Sequence, residues 1–146
     1  MTEEKHYQTG QVLKIIGVTQ SSLARWMNQG AITPTIKAEG GAGSKHLWTY
    51  SDLVEASVFA RLIRQCGFSL KAATSVIDIC NSAITDAGIS WEGFSRLTVV
   101  FADDGSVYAL INKTAPEGAE VALSIDLRAI KNKIDEKIET EKKNEK

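Results

Sequence analysis

The chain has 146 residues and a formal net charge of −1, with 43% hydrophobic, 24% charged and 7% aromatic residues. Domains usually hold about 100–150 residues and the smallest about 50, so this length accommodates one or two small units with the balance of an ordinary globular protein. A transmembrane helix is excluded, because a span needs about 20 apolar residues in a row and the longest apolar stretches, such as residues 97–102, are short and broken by Thr98.

The first residues are polar and acidic, unlike a signal peptide, which predicts a cytoplasmic protein. Two cysteines, Cys66 and Cys80, are too few for a disulfide framework. Both fall in helical apolar patterns, where a thiol behaves as a small hydrophobe.

Thr9 is placed to cap a helix over residues 10–16, with Val12, Leu13, Ile15 and Ile16 on its apolar side and Gly17 as its stop. Thr19 is placed to cap a second helix, in which Leu23 and Trp26 stand three apart and which ends at Gly30. Only Gly17-Val18 lies between them, the length of a helix-turn-helix corner. Residues 31–36, with Pro34, and residues 47–50 read as strands flanking a glycine-rich tip, which predicts a hairpin.

Ser51 then starts a longer helix, with Asp52 and Glu55 in its first turn and Leu53, Ala56, Phe59, Ile63 and Cys66 along one face. Gly67 ends it. Ser69 opens a fourth helix whose Leu70, Ala73, Ile77, Cys80 and Ile84 repeat at three and four, and this seam suits either another subunit or the chain's own core.

Beyond Gly88, residues 97–102 and 107–111 are strand-like and flank the turn Asp103-Asp104-Gly105-Ser106, and residues 121–125 form a third strand. A last helix from Asp126 places Leu127, Ile130, Ile134 and Ile138 on one side, and residues 139–146 read as solvated and frayed. The predicted fold class is α+β. Its divisions are a helical unit over 7–87, a small β-rich dimerisation or interaction unit with a closing helix over 88–139, and a disordered tail over 140–146.

In order and spacing, Thr9-Gly10-Gln11-Val12, Gly17-Val18-Thr19, Ser22-Leu23-Ala24-Arg25-Trp26, Gly30-Ala31-Ile32 with Pro34, Tyr50-Ser51-Asp52-Leu53 and Gly67-Phe68-Ser69-Leu70 resemble the MerR-type winged helix-turn-helix family over about residues 7–80. The resemblance implies four helices with a wing hairpin, and double-stranded DNA as the partner. Thr9, Thr19, Gln20, Ser21 and Ser22 would then stand near phosphates or base edges, and Arg25 would be the candidate for a bidentate contact to guanine or phosphate. Lys37, Lys45 and His46 would serve the wing's electrostatic contacts to the backbone. Leu23 and Trp26 belong to the core. Ala24 and Trp48 stand where the family commonly carries arginine, so the phosphate contacts of those arginines do not carry over.

A net charge of −1 argues at first against nucleic acid, but its distribution matters more than its sum. Residues 6–50 carry Lys14, Arg25, Lys37 and Lys45 against Glu39 alone, whereas residues 81–146 carry nine Lys or Arg against twelve Asp or Glu. A mildly basic head thus precedes an acidic tail.

The tail is similar to those of small MerR-like proteins, some of them antitoxin-type regulators, with a strand hairpin and an Asp-Leu helix, here Asp126-Leu127. It offers few residues to enclose a ligand, so no small-molecule effector is expected, and its predicted job is to pair subunits through a strand edge or the Leu127/Ile130/Ile134/Ile138 face. No Cys or His follows Cys80, so no metal or other cofactor is expected. The only histidines are His6 and His46, and nucleophile-elbow, P-loop and zinc-protease patterns are absent. Asp103 and Asp104 read as a hairpin tip, and no enzyme is expected.

The function these features imply is a dimeric, sequence-specific transcriptional regulator reading an inverted repeat, with no membrane role. The alternatives are an architectural DNA-binding protein, such as a phage or plasmid excisionase or a terminase DNA-recognition subunit, and an antitoxin-like protein-interaction module.

Overall fold

The computed structural model describes residues 5–36 and 46–144, and these form an α+β arrangement of five helices and two small antiparallel sheets. Strand β1 (Tyr7–Gln8) leads directly into helix α1 (Thr9–Ile16). Gly17 then takes φ 79°, a left-handed conformation open to glycine, and its N–H reaches the Leu13 carbonyl at 2.8 Å. Helix α2 (Gln20–Asn28) starts at once, capped by Thr19, whose Oγ1 accepts the Ser22 N–H at 3.2 Å.

Gln8, rather than Thr9, holds the cap position of α1, and its N–H donates to Gln11 Oε1 at 2.9 Å. The Thr9 side chain is used elsewhere, its Oγ1 accepting the indole N–H of Trp48 at 3.1 Å. Trp48 is fully buried, and a buried indole N–H left without an acceptor would be costly. Strand β2 (Leu47–Trp48) therefore pairs with β1, Tyr7 opposite Trp48.

The hairpin expected from residues 31–36 and 47–50 is correspondingly reduced. Among the described residues a single bridge joins Ile36 to Leu47, and the glycine-rich tip lies outside them. The segment before the bridge bends instead of extending, because its polar groups are drawn to a buried carboxylate. Thr35 donates its N–H and its hydroxyl to the two oxygens of Asp52, both at 2.8 Å.

Asp52 also fixes the start of helix α3 (Tyr50–Arg64). Thr49, not Ser51, is its cap: Thr49 Oγ1 accepts the Asp52 N–H at 3.1 Å, and Asp52 Oδ2 accepts the Thr49 N–H at 2.9 Å. This reciprocal box satisfies two donors together, which Ser51, with Val54 three residues on, could not do. Ser51 instead donates to Glu92 Oε1 at 3.0 Å. Helix α3 is central, with Leu53, Val54, Ala56, Val58, Phe59 and Leu62 all buried. Cys66 falls past its end and is exposed, contrary to the apolar position expected for it.

Helix α4 (Leu70–Asp86) opens at Ser69, whose Oγ accepts the Ala72 N–H at 3.1 Å. Ala73, Ile77, Cys80 and Ile84 are buried, and the helix packs on α3 and on the second sheet. That resolves the open question of its seam in favour of the chain's own core. Between α3 and α4 runs a half-buried polar link: Trp91 Nε1 donates to Asn81 Oδ1, and Asn81 Nδ2 donates to Glu55 Oε2, each at 2.8 Å. Burial, with lesser help from Asp52 and Asp78, pushes the Glu55 carboxyl up to about 7 against the opposing Asn81 bond. Burial likewise pushes the Cys80 thiol up to about 12.

The second sheet contains β3 (Arg96–Phe101), β4 (Val107–Ile111) and β5 (Val121–Asp126), in the order β4-β3-β5. Phe101 faces Val107 across the tip, where Asp104 Oδ1 accepts both the N–H and the hydroxyl of Ser106. Asp103 and Asp104 thus sit at a hairpin turn. The outer edges of β4 and β5 have no strand partner among the described residues.

Helix α5 (Leu127–Asn144) follows without a linker, and Asp126 Oδ1 caps it through the N–H groups of Arg128 and Ala129. Leu127, Ile130 and Ile134 are buried in the same cluster as Val12, Ile15 and Phe59, and α5 packs on both α1 and α3. The face proposed for subunit pairing is therefore inside the chain. Residues 140–144, expected to be disordered, continue the helix, and Glu141 reaches back to Lys14 at 3.7 Å. Two further ties hold α5: the Tyr50 hydroxyl donates to Asp135 Oδ1 at 2.7 Å, and Lys131 Nζ donates to the Glu92 and Phe94 carbonyls at 3.1 and 3.0 Å. One apolar core runs unbroken across residues 87 and 88. Among the described residues no helix is long and apolar enough to cross a membrane.

Candidate nucleic-acid interface

Helix α2 presents two different faces because its apolar residues are only three apart. Leu23 and Trp26 are buried, and Trp26 meets Phe59 of α3 edge-on with ring centroids 5.0 Å apart, a favoured aromatic geometry. The opposite stripe, Gln20, Ser21, Ala24, Arg25 and Asn28, is exposed. Asn28 was not among the expected site residues, although its place three after Arg25 puts it on the same side.

At the N-terminus of α2, three hydroxyls are gathered. Thr19 Oγ1 lies 3.0 Å from Ser22 Oγ and 3.3 Å from Ser21 Oγ. Thr19 Oγ1 caps one backbone N–H, that of Ser22, and no acid stands in the first turn. The result is a small patch of hydroxyls and helix-end N–H groups, suited to accepting an anionic oxygen.

Charge along this part of the chain is positive or neutral throughout. No Asp or Glu occurs between residues 5 and 36. Of the cations there, Lys14 is paired with Glu141, whereas Arg25 is exposed and makes no side-chain hydrogen bond or ion pair among the described residues.

The remaining expected residues are distributed differently. Thr9 sits at the start of α1 with its hydroxyl engaged by Trp48, so it anchors β2 in addition to any outward role. His46 is half-buried immediately before β2. Lys37 and Lys45 lie outside the described residues. The structure therefore brings together Thr19, Gln20, Ser21, Ser22 and Arg25, joined by Asn28.

Among the described residues, no group of three or more His, Cys, Asp or Glu side chains could hold a metal ion. A hollow of about 300 Å³ lies between α3, β5 and α5, and a second of about 540 Å³ lies beside the β3–β4 tip, with Asp103, Glu117 and Glu120 in its lining. The first is built jointly by the helical head and the tail, so the tail's residues counted alone give no sign of it.

Compared with known proteins, the chain matches no family model and no curated protein.

Proposed function

We propose that the protein binds double-stranded DNA through a winged helix-turn-helix head of the MerR type, with α2 entering the major groove by its N-terminal end. The observation that carries this reading is the two-sided α2. Its apolar side is locked to α3 by Trp26. Its other side offers hydroxyls, amides and a guanidinium unpaired among the described residues, in a chain segment without acids. Arg25 supplies the bidentate donor for guanine or phosphate, and the patch at Thr19, Ser21 and Ser22 takes a backbone phosphate. The segment after α2 is held against α3 by the bonds from Thr35 to Asp52.

One such head buries little surface and reads few base pairs, so function as a transcriptional regulator rests on a homodimer reading an inverted repeat. With the α4 and α5 faces used internally, the pairing surface in this reading is an open edge of β4 or β5.

The test is selection of bound sequences from random duplex DNA at stated salt. An inverted repeat with half-sites about one helical turn apart is expected. Arg25→Ala should weaken binding to the selected site by about 1–3 kcal/mol without altering the circular dichroism spectrum. Recovery of no enriched sequence, with no salt-sensitive affinity for any duplex, would defeat the reading in favour of a protein-interaction module.

A further inference from the structure

We infer that the cavity between α3, β5 and α5 binds a small organic carboxylate with an apolar body. Its volume of about 300 Å³ is at the lower end of ordinary small-ligand sites. Val58 and Leu62 of α3, Ile125 of β5 and Ile130 of α5 supply apolar walls, which suit a hydrocarbon or aromatic body and give a bare inorganic anion nothing to bury.

The polar part of the lining is unbalanced. Arg61 and Lys133 contribute two cations against one acid, Asp126, whose Oδ1 accepts the N–H groups of Arg128 and Ala129, so the lining keeps a net positive charge. Arg61 is half-buried and donates Nη1 to the Ser57 carbonyl at 3.1 Å, yet it has no anionic partner among the described residues. Burial pulls its pKa down. A half-buried guanidinium with donors to spare is complementary to a carboxylate, which it can take bidentately. The acid-lined hollow near the β3–β4 tip carries Asp103, Glu117 and Glu120 and repels the same ligand.

This site is independent of the DNA reading, because its readout is ligand occupancy alone. Cys66 lines the cavity and is exposed, while Cys80 is buried, so iodoacetamide reports on one thiol in the folded 146-residue chain. The experiment follows Cys66 alkylation by mass spectrometry with phenylacetate, 4-methylpentanoate, the neutral isostere phenylacetamide, or inorganic phosphate.

The two carboxylates are expected to slow alkylation several-fold, with phenylacetamide and phosphate far weaker. Lys133→Gln, on the exposed side of α5, and Arg61→Gln should each raise the carboxylate concentration needed by about tenfold or more. If Arg61→Gln loses its fold by circular dichroism, Lys133→Gln decides. Protection by phenylacetamide equal to that by phenylacetate overturns the assignment, as does protection by phosphate alone or protection unchanged in the folded variants. Absence of protection at about 10 mM carboxylate, where even a millimolar site is mostly filled, overturns it too.

Discussion

Helices α2 and α5 are both amphipathic, yet they differ in how far their polar sides are tied to the rest of the chain. On α5, Lys131 is bonded to two carbonyls, Asp135 to the Tyr50 hydroxyl and Glu141 to Lys14. On α2, the side chains of Gln20, Arg25 and Asn28 make no hydrogen bond or ion pair among the described residues. A helix tied to the rest of the chain through several of its polar groups serves as a brace, whereas one whose exposed donors have no such ties is free to meet something else. Amphipathicity alone does not distinguish these cases. The partners of the polar face do.

The comparison breaks most visibly at the apolar face of the brace. Leu127→Ala, at a fully buried position, should lower unfolding free energy by about 3–4 kcal/mol in urea titrations. A loss below about 1 kcal/mol would mean that α5 is not part of the core. Next comes the carboxylate that ties the segment after α2 to α3. Asp52→Ala leaves the Thr35 and Thr49 N–H groups without their acceptor and should cost about 2–3 kcal/mol. If the proposed DNA reading holds, it should also weaken DNA binding with helix content kept, since the segment after α2 loses its anchor. A variant equal to wild type in both readouts would remove Asp52 from that role.

A smaller effect depends on pH. Burial raises the Glu55 carboxyl from 4.5 to about 7 in the folded chain. Between those values the native state holds a proton that the unfolded chain has released, so stability falls as pH rises through this window and stays lower above it. Glu55→Gln keeps an oxygen for Asn81 and removes the titration. It should be stabilising by about 2 kcal/mol at about pH 8 and close to neutral at about pH 4.5, and equal changes at both pH values would argue against the buried charge. Smallest of all, Arg25→Ala and Lys14→Ala should change the unfolding free energy little, each by less than about 0.5 kcal/mol, because both side chains are exposed. A large loss from Arg25→Ala would turn α2 into a second brace.

Local signals in the sequence located most elements. Thr19, Ser69 and Asp126 cap the helices that follow them, Gly17 makes the corner, and the β3–β4 tip falls on Asp103-Asp104-Gly105-Ser106. Where two capping residues stand close together, as Thr49 and Ser51 do, the choice is settled by Asp52 three residues after Thr49, a reciprocal bond visible in the spacing. Strand β1 was not legible, because two residues are too short for an alternating pattern. Periodicity correctly marked Leu127, Ile130 and Ile134 as a buried face but carries no address, so whether they met another subunit or α1 and α3 could not be read from spacing. The same holds for the α2 surface: Ser21, Ser22 and Arg25 were legible as its polar stripe, while the pairing of Lys14 with Glu141 joins positions too far apart in the chain for any local rule.

The packing of α5 on α1 has a consequence for synthesis. A ribosome releases residues 9–16 before residues 127–144, so Val12 and Ile15 emerge long before Ile130 and Ile134 can share their cluster. The core around α1 cannot close until α5 has emerged, and completion of its folding is deferred until then. Until then its apolar surface is work for chaperones, and a chain cut short before Leu127 should reach the proteases without a completed core.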